Sequence, residues 1–164
     1  MERRNWRLAL AILPVAAACL ATEQNEAGDD AERDAVLRVL DTYYGDFTAR
    51  DWEAFAQHFW PGADITTIWQ PPGEDSDRVV PTTIEDFVAQ APAGPGSKEI
   101  FEERMLQADI RVFHNLAQAW VRYGTRFGDP DSIRYWEGID AFSLLRHDGG
   151  WKIASLVFMS DANE

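Results

Sequence analysis

Apolar and polar positions repeat along this chain with two different periods, and the change of period divides it. From Ala31 to about Ala49 the residues Val36, Val39, Leu40, Tyr43, Tyr44 and Phe47 recur at spacings of three and four, which predicts an amphipathic helix. Asp51 is placed to cap a second helix carrying Trp52, Phe55, Ala56 and Phe59, with Pro61-Gly62 as its end. Ile65 to Trp69 is β-branched and aromatic and reads as a strand closed by Pro71-Pro72-Gly73. Thr83 and Asp86 form a capping box for a short third helix running to about Ala91, followed by a loop over Pro92 to Gly96.

Beyond that loop the period falls to two. Four long antiparallel strands are expected over Lys98–Phe113, Leu116–Gly128, Ser132–Arg146 and Trp151–Ser160. The reversals between them are His114-Asn115, Gly128-Asp129-Pro130-Asp131 and His147-Asp148-Gly149-Gly150. Helices first and a long-stranded sheet after is an α+β order, and it predicts a curved sheet wrapped over the first helix.

Alternation sorts the third long strand into two faces. Arg134, Trp136, Gly138, Asp140, Phe142 and Leu144 share one, and Ile133, Tyr135, Glu137, Ile139, Ala141 and Ser143 share the other. Asp140 therefore stands among apolar neighbours. If that face is interior, desolvation raises its pKa and lets a neutral carboxyl donate a hydrogen bond to a ligand oxygen. A structural alternative is a carboxylate paired with an arginine or a backbone amide, or one facing solvent on a mixed strand.

The N-terminus has another character. Arg3, Arg4 and Arg7 precede an apolar run from Leu8 to Val15 that is too short to span a bilayer, and Ala16-Ala17-Ala18 leads into Cys19. This order describes an export signal. With Cys19 directly behind it, the segment resembles the bacterial lipobox, although Ala16 stands where that motif usually has leucine. The resemblance implies a signal peptide over residues 1–18, lipidation of Cys19, and a membrane-anchored lipoprotein, in the outer membrane or periplasm if the cell is Gram-negative. Secretion after an Ala-x-Ala cut is the alternative. Residues 19–30 are polar and acidic and read as a flexible tether, leaving 31–164 as the domain.

The whole chain carries 15 Lys and Arg against 28 Asp and Glu, a net charge of −13. Removing residues 1–18 takes away three arginines and one glutamate, so the mature chain stands at −15. Such a charge argues against nucleic acid or an anionic membrane surface as a partner; the membrane enters only through Cys19. A single cysteine excludes an intramolecular disulfide, so packing alone must hold the fold. His58, His114 and His147 are scattered, and no metal site or cofactor motif is expected.

Several segments together resemble the nuclear transport factor 2-like superfamily, which includes SnoaL-like proteins and ketosteroid isomerases. They are Tyr43-Tyr44, Ala49-Arg50-Asp51-Trp52-Glu53-Ala54-Phe55, Phe59 ahead of Ala63-Asp64-Ile65, Ile139-Asp140-Ala141-Phe142 and Gly149-Gly150-Trp151-Lys152-Ile153. The resemblance implies a cone-shaped α+β roll with an apolar cavity. It also makes Tyr43 and Asp140 the candidate catalytic or ligand-contacting pair, matching a tyrosine and an acid that form an oxyanion hole in the isomerases. Their catalytic aspartate has no counterpart: the matching positions read Thr67-Ile68-Trp69-Gln70. Glu102, Glu103, Asp109 and Glu137 read as solvated or salt-bridged charges beside Arg104, Arg111, Arg122, Arg126 and Arg134.

The pocket is expected to be lined by Tyr43, Phe55, Phe59, Trp69, Trp120, Trp136, Asp140 and Phe142. Three functions follow from this reading. The first is binding of a small apolar molecule. The second is an isomerase, hydrolase or cyclase using Asp140 and Tyr43. The third is a non-catalytic homodimer built on Ile133, Tyr135 and Ile139.

Overall fold

The computed structural model describes residues 16–69 and 75–160, with side chains from residue 30 onward. Most of the leader, the thiol of Cys19 and the Pro71-Pro72-Gly73 turn lie outside those limits.

The first helix, α1, spans Ala16–Ala49. It starts well before Ala31, so the segment read as a flexible tether has helical backbone. Its alanines and glutamates are good helix formers and no proline interrupts them. One stripe of α1 (Val36, Leu40, Tyr43, Tyr44 and Phe47) is buried. The helix stops at Arg50, which adopts φ 59°. The Arg50 amide donates to Phe47 O at 3.1 Å and the Asp51 amide to Asp46 O at 3.0 Å, the two bonds of a Schellman cap. A left-handed arginine is unusual there; its guanidinium is held by the carbonyls of Lys98 and Glu99.

Asp51 caps α2 (Trp52–Gln57) by accepting from the Ala54 amide. The next element differs from expectation. Strand β1 runs Phe59–Trp69, so Phe59 belongs to it and Pro61-Gly62 does not end the helix. Gly62, at φ 84°, lies within a bulge where the pairing register shifts between Phe59 and Asp64. Strand β2 (Arg78–Thr83) was not foreseen, because Pro81 argues against a strand. It is tolerated at a sheet edge, where a missing N–H can face away from the ladder. Thr83 then caps α3 (Ile84–Gln90) by accepting from the Asp86 amide at 3.1 Å.

Two short 3₁₀ turns lead into the four long strands: β3 (Ile100–Phe113), β4 (Leu116–Asp129), β5 (Ser132–His147) and β6 (Gly150–Ser160). The sheet order is β2-β1-β6-β5-β4-β3, antiparallel except where β1 runs parallel to β6. This curved, mainly antiparallel sheet with helices on one face is the α+β roll that the period change predicts. A clamp fastens α1 to the far hairpin: Glu32 pairs with Arg146 and accepts from Trp151 Nε1 at 2.9 Å. Those donors, that of Trp151 first, hold the Glu32 carboxyl below its ordinary pKa.

Candidate functional site

Period-two geometry turns Asp140 inward with Phe142 and Leu144, and all three are buried. Asp140 is 3% exposed. Its partner is Tyr44, whose hydroxyl donates to Oδ2 at 2.5 Å. The tyrosine counted to this role from the sequence is its neighbour, Tyr43. Adjacent helix positions lie about 100° apart, so both rings enter the core but reach different places. Tyr43 meets Tyr44 edge-on at 5.0 Å, and its own hydroxyl has no hydrogen-bond partner among the described residues.

A second carboxyl shares the space. Glu103 lies on the interior face of β3 with Phe101 and Met105, and Thr125, opposite it on β4, donates to Glu103 Oε2 at 2.9 Å. β3 is an edge strand, so the Glu103 amide and carbonyl point away from β4. Thr48 of α1 satisfies both: its hydroxyl donates to Glu103 O at 2.7 Å and accepts from Glu103 N at 2.9 Å. This corrects the reading of Glu103 as a solvated or salt-bridged charge. The signal was available in the period-two run Phe101, Glu103, Met105.

The two carboxyls and Tyr43 line a cavity of about 70 Å³, with Tyr123 and Leu156 at its inner end. Phe47, Phe87 and Phe158 add aromatic walls, and the partly exposed Phe87, Glu103 and Phe158 mark the outer end. Gly138 makes room here. A Cβ at that position would fall 2.4 Å from both the Tyr123 hydroxyl and Met159 O.

Burial raises both acids, because a charged carboxylate loses hydration there. Glu103 is pushed up to about 8, first by burial and then by the charge of Asp140, with the Thr125 hydrogen bond opposing. Asp140 is pushed up to about 7 by burial, opposed by the hydrogen bond from Tyr44. Tyr43 and Tyr44 are also raised, chiefly by burial and then by Asp140, and remain protonated donors. The site therefore holds two acids that titrate near neutrality, with no Lys, Arg or His among the described residues on its walls.

The expected lining is redistributed. Phe55, Phe59 and Phe142 are core residues packed on Tyr43, with centroids 5.3, 6.0 and 5.3 Å away, rather than cavity wall. Trp120 is 60% exposed on the outer face of the sheet, since buried β4 residues occupy the odd positions Ala117, Ala119, Val121 and Tyr123. Trp69, 43% exposed, stands at the end of β1, outside the cavity. Trp136 is half-buried against Phe127 and Arg134, also outside it.

Helices over a curved sheet with an interior cavity form a cone-shaped α+β roll of the nuclear transport factor 2-like fold. The chain belongs to the family described as "Putative lumazine-binding", whose model matches residues 31–159. No curated protein matches it. Among solved structures, an NTF2-like protein of unknown function from Silicibacter pomeroyi DSS-3 is 17% identical over 80% of this chain and 97% of that one, with a TM-score of 0.57. A hexachlorocyclohexane dehydrochlorinase, LinA type 2, is 12% identical over 80% and 86%, with a TM-score of 0.64. Aln2 from a Streptomyces species is 15% identical over 80% and 91%, with a TM-score of 0.63. At these identities the likeness is one of fold.

Proposed function

We propose that this is an exported, lipid-anchored domain that binds a small molecule in the cavity between α1 and the sheet. The carrying observation is the placement of Glu103, Asp140 and the unpartnered Tyr43 hydroxyl within aromatic walls. A cavity of about 70 Å³ admits only a polar head group, leaving an apolar body against Phe87 and Phe158 at the outer end. The family description adds a flat heteroaromatic ring to the candidates. Thermal-shift and NMR titrations with lumazine, phenols and small polar-headed ligands test this reading. Perturbation of cavity resonances that is lost in Asp140→Asn supports it, and silence from every probe removes it. For the anchor, intact mass should show an acylated Cys19 at the N-terminus, and Cys19→Ser should release the protein from membranes.

Glu103 favours a second reading, acid–base catalysis. Two carboxyls titrating near neutrality in one cavity can take a proton from one atom of a bound substrate and return one to another. Deuterium uptake by enolisable ketones, abolished in Asp140→Asn, would register it.

A further inference from the structure

The cavity carries two acids and no base, and it leaves three polar atoms without partners. Asp140 uses Oδ2 for Tyr44, and Glu103 uses Oε2 for Thr125. Among the described residues nothing bonds Asp140 Oδ1, Glu103 Oε1 or the hydroxyl of Tyr43, a residue only 2% exposed. Among the described side chains only Arg50 Nε is both sealed and unsatisfied, so these three oxygens are free to bond whatever enters the space their residues line.

Charge narrows what that is. Once the acids ionise, an anionic ligand meets two carboxylates and no cation, and is repelled. A neutral alcohol satisfies one or two oxygens but leaves charge uncompensated once the acids ionise, above the range in which they titrate. A metal ion is poorly served, because among the described residues no group of three or more His, Cys, Asp and Glu side chains converges. A primary ammonium carries three N–H donors for three acceptor oxygens, and a methylated one trades donors for contact with ring faces. The rings of Tyr43, Phe47, Phe87, Tyr123 and Phe158 supply those faces.

We propose that the cavity recognises a small organic cation, a primary or methylated ammonium head group, held by Glu103, Asp140 and Tyr43 within the aromatic walls. The proposal rests on the reading that this cavity is the ligand site. A bound cation also favours the ionised acids, so affinity should rise with pH through the range where Asp140 and Glu103 titrate.

The test uses the full chain and three isosteres: propylammonium, 1-propanol and propionate, with trimethylammonium added, each titrated by calorimetry and NMR. Propylammonium or trimethylammonium should bind at least ten-fold more tightly than 1-propanol, and more tightly at pH 8.5 than at pH 6. Glu103→Gln should weaken the ammonium ten-fold or more and leave 1-propanol within two-fold. Tyr43→Phe, which removes only an unpartnered hydroxyl, should fold normally and weaken propylammonium several-fold. Equal binding of ammonium and alcohol, or preference for propionate, overturns the cation assignment and leaves the cavity as a ligand site. If no probe of any charge, lumazine and phenols included, perturbs the cavity, both readings fall.

Discussion

The Tyr44 hydroxyl reaches Oδ2 of Asp140 at 2.5 Å, joining α1 to β5 inside the core. This bond does two things at once: it satisfies one oxygen of a buried carboxyl and favours that carboxyl's charged form. Glu103 is raised too, to about 8, by burial and by the charge of Asp140, with the Thr125 hydrogen bond opposing. The two acids share one cavity, so their protons are held and released as a pair.

Removing the donor should be costly. Tyr44→Phe leaves Asp140 buried without its hydrogen bond, with an expected loss of about 1–3 kcal/mol in denaturant unfolding. The same change should raise the Asp140 pKa further, read from the pH dependence of its side-chain carbon resonance. An unshifted titration would mean that Tyr44 does not hold the carboxylate.

Stability should fall as pH rises from about 4 to about 8. In the unfolded chain Asp140 and Glu103 titrate near 3.8 and 4.5, whereas in the fold they keep protons to about 7 and about 8. The folded state then binds more protons than the unfolded state across that window, so the unfolding free energy declines with pH. The pair Asp140→Asn with Glu103→Gln should flatten this decline. Glu32 and Asp129, whose pKa values are lowered, act in the opposite sense at more acidic pH.

Gly138→Ala should damage the cavity wall. The added methyl meets backbone Met159 O and the Tyr123 ring, neither of which yields cheaply. A loss of about 1–3 kcal/mol is expected from such overpacking, with displaced Tyr123 ring resonances.

The outer sheet face offers a separate test. Trp120, Val157 and Met159 are exposed there, and Tyr135, Ile133 and Ile139 share that face. If it pairs with a second copy, light scattering will show a concentration-dependent dimer that Trp120→Glu converts to monomer. A wild-type monomer at every concentration excludes that interface.

The long strands and α1 were readable because their periodicity is sustained over many residues and one face of each is buried. Asp140 was readable for the same reason, since parity alone placed it beside Phe142 and Leu144. Glu103 carried the same parity signal, but nearby arginines made a surface ion pair the simpler reading. β2 was hidden by Pro81, which only an edge position tolerates.

Local pattern thus decided the order of the first helix and the four long strands, which residues of a strand share a face, and the candidacy of Asp140, because side-chain direction follows backbone period. It could not choose between Tyr43 and Tyr44, bring Glu103 to the same cavity, or decide whether the Trp120 face or the Tyr123 face of β4 turns inward. Those outcomes depend on strand register and on how α1 is rotated over the sheet. Both are set by contacts between residues far apart in the chain, which only the assembled core brings together.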